Sequence, residues 1–198
     1  MPIMRGFAGV VLFVLLAAAC GDSSGPQTDE SFRFTDPQGD TVAVVNPTVR
    51  ATDAIATEVT VLADVILLRL EFAAAVTPWS QGQPNALDGF LDLDLDENSA
   101  TGVPGAANEH GGDAQMGADW YLDLRDDGAE GLVLIKPNSS DRIGATIQYL
   151  GAAVEIRLPR AALGETDGRF LVAFVLETED RPVSDFVPNV GHYAIAPR

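Results

Sequence analysis

The sequence predicts an all-β fold, an antiparallel and jelly-roll-like β-sandwich of two sheets with about ten strands. From residue 32 onward, short runs rich in Val, Ile, Leu and Phe alternate with clusters of Gly, Pro, Asp and Asn. Only residues 160–164 have a helical pattern, and this segment is one turn that follows a proline and ends at a glycine. Parallel strands need long crossover connections, usually helices, so this pattern favours antiparallel pairing.

The individual strands are predicted from side-chain alternation and from the turns between the runs. Residues 55–62 and 65–72 flank the pair Ala63-Asp64 and are predicted to form a hairpin. Residues 87–95 follow, with Leu and Asp alternating at the end of the run. The other predicted strands are residues 32–34, 41–45, 118–124, 131–136, 143–150, 153–158 and 170–177.

Alternation also predicts the core, because successive side chains of a strand point to opposite faces of the sheet. Residues 170–176 are apolar at nearly every position, so we expect this strand to be covered on both faces. The residues predicted to be buried are Leu91, Leu93, Leu95, Trp120, Leu122, Val154, Ile156, Phe170, Val172 and Phe174.

The composition bounds the size of the fold and the class of partner. The chain has 198 residues, of which 46% are hydrophobic, and this supports one ordinary core in a single domain of residues 32–198. It carries 29 acidic and 12 basic side chains, for a net charge of -17. Nucleic-acid binding depends on clustered Lys and Arg, so we expect no nucleic-acid partner.

The first nineteen residues are predicted to be a signal peptide. A short positively charged start ends at Arg5, and residues 6–19 form an unbroken run of apolar and small side chains. As a helix this run would reach about 21 Å, which is shorter than the roughly 30 Å hydrocarbon core of a bilayer. We therefore expect residues 1–19 to be removed rather than to remain as a membrane span.

Residues 15–21, with the sequence LLAAACG, resemble the lipobox of bacterial lipoproteins. The resemblance implies that Cys20 is diacylated and becomes the new amino terminus, which anchors the protein to a membrane of the cell envelope outside the cytoplasm. Residues 20–31 are then the lipidated cysteine and a flexible tether rich in Gly, Ser and acids. Since Cys20 is the only cysteine, packing or a metal ion must stabilise the domain.

An acidic stretch at the end of the run 87–95 predicts a metal site. Asp92, Asp94 and Asp96 would share one face of a strand, where like charges repel one another. Calcium prefers six to eight oxygen ligands, so a calcium ion bound by these three residues and Asn98 would relieve the repulsion. The stretch lacks the Gly and Glu of an EF-hand loop, and the alternative is a solvated acidic face.

The long loop of residues 97–116 contains three further metal-binding side chains, Glu109, His110 and Asp113, among four glycines. Loops of this length usually have a function or are disordered. Their spacing matches no zinc motif, so the alternative to a zinc site is the polarity of an exposed loop.

Two aromatic residues are candidate ligand-binding side chains, because an aromatic ring offers a flat apolar surface beside polar groups. Trp79 lies in the predicted loop 78–85, where it would either stack on a ligand or cap the sandwich. Tyr121 shares a strand face with Asp119, opposite the core residue Trp120.

Nucleophilic catalysis lacks its usual residues, since no G-x-S-x-G elbow is present and the only cysteine is assigned to acylation. We therefore expect a protein that is not an enzyme. Glycoside hydrolysis by a pair of carboxylates stays open as an alternative, because such pairs are recognised by distance in space and not by sequence.

Five short segments together resemble the DOMON-like or family 9 carbohydrate-binding-like β-sandwich modules of secreted bacterial proteins. They are residues 34–40 (FTDPQGD), 92–94 (DLD), 100–102 (ATG), 117–121 (GADWY) and 155–159 (EIRLP). The resemblance implies a jelly-roll-type sandwich that binds sugar or heme, and in some members calcium. In this sequence the aromatic residues described above would bind the sugar, and the acidic stretch would bind the calcium ion.

Heme binding would need axial ligands, which only Met116 with His192 or His110 could supply. Their spacing gives no support to such a pair, so heme is not favoured. The sequence predicts a lipid-anchored, non-catalytic binding module for carbohydrate or an envelope polymer, with a structural calcium ion. The alternatives are a structural or adhesive envelope protein, a heme-binding module and a carboxylate-dependent glycoside hydrolase.

Overall fold

The computed structural model describes residues 29–42, 52–82, 85–125, 131–164, 168–177 and 183–198. Within these residues the chain forms β-strands, one short α-helix and two 3-10 turns, at Trp79–Gln81 and Arg160–Leu163. The strands and the helix are β1 Glu30–Thr35, β2 Ala54–Val61, β3 Val65–Phe72, β4 Gly89–Asp94, β5 Val103–Pro104, α1 Ala106–Glu109, β6 Gly117–Ala118, β7 Trp120–Asp123, β8 Leu132–Ile135, β9 Arg142–Tyr149, β10 Ala153–Pro159, β11 Phe170–Glu177, β12 Val183–Val187 and β13 Tyr193–Ile195.

The predicted all-β antiparallel class is confirmed. One large curled sheet has the strand order β1-β2-β3-β10-β9-β8-β7-β4-β11-β12, β13 pairs with β11, and β5 and β6 form a small second sheet. The two faces of the sandwich are two halves of the curled sheet, which are continuous through β9 because it pairs with both β10 and β8. Buried apolar side chains from both halves form a single cluster, so the main core lies between them.

Several boundaries differ from those predicted. β1 begins at Glu30, so the last two residues of the predicted tether, residues 30 and 31, belong to the first strand. Thr41 and Val42 lie outside any strand, and residues 43–45 of that predicted strand are outside the described residues. The signal peptide, Cys20 and the rest of the tether up to residue 28 are also outside them. In the described part of the chain, no helix is long and apolar enough to cross a membrane.

The predicted core is buried, with one exception. Leu95 is only partly buried, because β4 ends at Asp94 and the chain then turns away from the sheet. All eight residues of β11 are buried, which confirms that this strand is covered on both faces. Its second covering layer is a smaller apolar cluster on the outer side of the sheet, which includes Ala107, Met116 and Val175.

The two ends of the curled sheet meet. The backbone N–H of Ala54, at the start of β2, donates to the Asp185 carboxylate of β12 at 2.9 Å. Nearby, the N–H of Val42 donates to the carbonyl of Ser184 at 2.9 Å. The rings of Phe34 in β1 and Tyr193 in β13 stack with their centroids 4.3 Å apart. These contacts close the sandwich between the first and last parts of the described chain.

The burial of Leu93 gives a test of the core. Leu93 is fully buried in the main cluster, so Leu93→Ala should lower the free energy of unfolding by about 2–5 kcal/mol. Leu150→Ala is the matched control, because Leu150 lies on the surface with 41% of its area exposed. Thermal unfolding measures both variants, and equal losses of stability would contradict the assigned register of β4.

Candidate functional site

Residues 95–116, named here the covering segment, connect β4 to β6 and fold back over the outer face of the sheet. They contain β5 and α1, and α1 contacts both β4 and β11. The apolar side chains of the segment pack against the outward side chains of β11. A segment predicted to be a polar loop is therefore a third layer of the structure.

This layer changes the environment of the acidic stretch. Asp92 does lie on the outer face of β4, as predicted, but it is only 1% exposed beneath α1. Its Oδ2 accepts a hydrogen bond from the backbone N–H of Ala107 at 3.4 Å. Burial raises the pKa of Asp92 to about 7, with a smaller contribution from the negative charge of Glu109. The alternative of a solvated acidic face is wrong at Asp92.

Asp94 is also fully buried, and the covering segment is built around it. Its carboxylate accepts from the N–H of Gly117 at 3.2 Å and from the N–H of Asn98 at 3.3 Å. Burial raises the pKa of Asp94, and the neighbouring Asp96 adds to the effect. Asp96 lies beyond the end of β4 and is exposed, so the three predicted acids do not form one row on the strand.

Two of the predicted metal ligands are brought together, and a third acid joins them. One carboxylate oxygen each from Asp94, Asp96 and Asp119 lie within 4.8 Å of one another. Asp119 is held beside them because its N–H donates to the carbonyl of Leu93 at 2.8 Å and its Oδ2 accepts from the N–H of Leu95 at 2.9 Å. The sequence could have indicated Asp119 only if the pairing of β7 with β4 had been known.

The remaining predicted ligands have other roles in the described structure. Asn98 Oδ1 accepts from the N–H of Ala100 at 3.1 Å and so stabilises the turn after β4. Asp113 accepts from the side-chain amide of Gln115 at 3.0 Å. Among the described residues, no group of three or more acids and histidines close enough to share a metal ion includes Glu109, His110 or Asp113.

A cavity of about 320 Å³ lies between the covering segment and the outer face of β4 and β7. The residues that give it its chemical character are Phe90, Asp92, Ala106, Glu109, His110 and Tyr121. Of the two aromatic residues predicted to bind a ligand, Tyr121 lines this cavity, whereas Trp79 lies in the 3-10 turn Trp79–Gln81 and does not line it.

Contacts on two sides position His110 at the cavity. Its Nδ1 lies 3.2 Å from Oε1 of Glu177, a buried residue at the end of β11. Its ring stacks on Phe90 with the centroids 6.1 Å apart. The sequence analysis considered His110 as a zinc or heme ligand and favoured neither, and its contact with Glu177 depends on a strand that comes far later in the chain.

The other two residues considered for heme have other contacts in the described structure. Met116 is buried in the outer apolar cluster. His192 Nδ1 lies 2.7 Å from the carbonyl oxygen of Ala114, which holds the end of the covering segment.

Glycines allow the covering segment to approach the sheet closely. A Cβ atom added to Gly105 would lie 2.5 Å from Oδ2 of Asp92, which is closer than unbonded atoms can approach. A Cβ atom added to Gly117 would overlap the carbonyl oxygen of Thr101. Gly105 thus permits close packing over the buried Asp92 carboxylate, and Gly117 permits close approach to the backbone at Thr101.

Comparison with known proteins gives no match to any protein-family model and no significant match to a curated protein.

The packing of Gly105 against Asp92 can be tested by substitution. Gly105→Ala should lower the free energy of unfolding by about 1–3 kcal/mol, because the added methyl group displaces either Asp92 or the segment above it. Gly144→Ala is the control, since a Cβ atom at that position in β9 meets nothing within 4 Å. Chemical denaturation measures the difference, and equal stability of the two variants would contradict the close approach.

Proposed function

We propose that this protein is a lipid-anchored component of the cell envelope whose β-sandwich binds carbohydrate in the cavity beneath the covering segment and does not catalyse a reaction. The observation that carries the proposal is the chemical character of the cavity. Tyr121 and Phe90 supply aromatic surface, and Glu109 and His110 supply hydrogen-bonding groups beside it. Sugars present both apolar ring faces and hydroxyl groups, so this combination suits them.

The size of the cavity favours a small ligand. Its volume of about 320 Å³ lies at the lower end of the range of about 300–1,000 Å³ that is usual for ligand sites. The resemblance to family 9 carbohydrate-binding-like modules supports the same class of ligand. A purely structural or adhesive envelope protein would not need a cavity of this kind.

The cavity also favours a second candidate function, carboxylate-dependent glycoside hydrolysis. Asp92 and Glu109 both line it, and a buried carboxyl group with a raised pKa can act as a general acid. We prefer binding because Asp92 is almost completely buried and its Oδ2 accepts a hydrogen bond from the covering segment. Release of reducing sugar from oligosaccharides would support hydrolysis instead.

The proposal includes a structural calcium ion at Asp94, Asp96 and Asp119. Three carboxylate oxygens within 4.8 Å of one another can surround a single hard cation, and calcium prefers such ligands. An ion there would join the end of β4 to the start of β7. It would thereby hold the covering segment at the rim of the cavity.

Location outside the cytoplasm rests on the lipobox-like residues before Cys20. Residues 21–29 separate Cys20 from the first strand, which begins at Glu30. Nine residues span at most about 30 Å when fully extended, so the tether would keep the domain close to the membrane surface.

Ligand binding is tested by two aromatic substitutions. Tyr121→Ala should raise the Kd for a bound oligosaccharide at least about tenfold, or about 1.4 kcal/mol, because it removes stacking surface from the cavity. Trp79→Ala, which removes an aromatic ring outside the cavity, should leave the Kd unchanged. Isothermal titration of the full-length protein with a panel of xylo-, cello- and malto-oligosaccharides provides the measurement.

Each contrary result has a distinct meaning. Loss of binding in Trp79→Ala alone would place the carbohydrate site on the 3-10 turn and contradict the cavity. No binding to any oligosaccharide of the panel would count against the carbohydrate class of ligand.

Membrane anchoring is tested by Cys20→Ser. The wild-type protein should sediment with membranes, and the variant should remain in the soluble fraction because it cannot be acylated. Intact-mass measurement of the wild-type protein should show the added acyl chains. An unmodified Cys20 in membrane-extracted protein would contradict the anchor.

A further inference from the structure

A second group of acids lies where the two ends of the curled sheet meet. Asp36 follows β1, Asp40 lies in the turn beyond it, and Asp185 belongs to β12. One carboxylate oxygen from each of these three residues lies within 4.8 Å of the other two. Residues from the beginning and the end of the described domain therefore form one cluster.

Two of the three acids in this cluster are buried, and each of the three has one carboxylate oxygen without a hydrogen-bond partner. Asp185 is fully buried and Asp36 is only 7% exposed. The oxygens Asp36 Oδ2, Asp40 Oδ1 and Asp185 Oδ1 are inaccessible to solvent and have no hydrogen-bond partner within the described structure. A buried polar atom without a partner is costly, and a buried charge without one is more costly still. This arrangement is the one expected for atoms that coordinate a cation.

The surroundings of the cluster add negative charge. Burial raises the pKa of Asp36 to about 6 and that of Asp185 to about 7, and in both cases the further contributions to the rise come from neighbouring acids. These neighbours include Asp53, whose carboxylate accepts from the N–H of Gly39 and so fixes the turn that carries Asp40. Within the described residues, no basic side chain contributes to the pKa of Asp36 or Asp185.

The neighbouring contacts show that the cluster is a built site. Asp185 Oδ2 accepts from the N–H of Ala54, which leaves Oδ1 for another partner. Asp40 Oδ2 accepts from the side-chain amide of Asn189, which likewise leaves Oδ1. Both of these carboxylates thus have one oxygen held by the protein and one without a hydrogen-bond partner.

We propose that Asp36, Asp40 and Asp185 bind a calcium ion that joins β1 to β12 and closes the sandwich. Carboxylate oxygens are hard ligands, and calcium accepts several of them in flexible geometry, with water completing its coordination. The ion stabilises the fold in place of a disulfide, because the only cysteine of the chain is Cys20. This site is separate from the cavity and from the acids Asp94, Asp96 and Asp119.

The test compares the melting temperature of the full-length protein in chelator and in calcium. At a hundredfold excess of calcium over Kd, one site that binds only the folded state should raise the midpoint by about 5–10 °C. Asp185→Asn should lose the part of this shift that comes from the cluster. In chelator the variant should melt no lower than the wild type, because it removes one charge from a group of like charges.

Two further variants test whether the acids of the cluster share one ion. Asp36→Asn should lose the same part of the calcium-induced rise in melting temperature as Asp185→Asn. The double variant Asp36→Asn/Asp185→Asn should lose no more than either single variant, because both residues would bind the same ion. Asp141→Asn removes an exposed acid outside the cluster and should retain the full shift. Calorimetric titration with calcium should show one ion fewer per chain in Asp185→Asn than in the wild type.

The outcomes distinguish this site from the proposed site at Asp94. If Asp94→Asn loses nothing while Asp185→Asn loses its shift, the site at Asp185 stands and the site at Asp94 fails. An unchanged calcium shift in both Asp185→Asn and Asp36→Asn would overturn the proposal. If Asp185→Asn lowers the melting temperature equally in chelator and in calcium, the acids have a purely structural role. If sodium at matched ionic strength stabilises the wild-type protein as much as calcium does, the effect is charge screening.

Discussion

A buried carboxylate must be paired, hydrogen-bonded, protonated or bound to a cation, and this requirement shapes the described structure more than any other. Six acidic side chains are buried within the described residues, in a chain that already carries a large excess of negative charge. They are Asp36, Asp88, Asp92, Asp94, Glu177 and Asp185. The partners of these buried carboxylates distinguish the covering segment from the place where the two ends of the sheet meet.

Two solutions are found for Asp88, Asp92 and Asp94. Asp88 forms an ion pair with Arg125 at 3.1 Å, although burial still raises its pKa to about 6. Asp92 and Asp94 accept hydrogen bonds from backbone amides of residues that follow β4, so the covering segment is fixed by the acids beneath it. The cluster at the meeting point of the sheet ends has neither solution in full, and for this reason it suits a cation.

Local alternation predicted much of the fold and little of the site. It identified Leu91, Leu93 and Trp120 as core because a two-residue period requires no knowledge of strand partners. The same period placed Asp92 on the outer face correctly, but it could not show that residues further along the chain cover that face. The short strands β12 and β13 were missed, since three to five residues carry too little pattern, and with β12 the acid cluster containing Asp185 was missed as well.

The complete burial of β11 has a consequence for how the chain reaches its folded state. Its eight residues, FLVAFVLE, are nearly all apolar, and such a segment is prone to aggregate while it is exposed. Its partners β4, β12 and β13 lie on both sides of it in the sequence, so the centre of the sheet depends on long-range contacts that form slowly. β4 and the covering segment precede β11 in the chain and are synthesised first. They are therefore already part of the chain when β11 is made, and in the folded protein β4 pairs with β11 while the covering segment packs on its outer face.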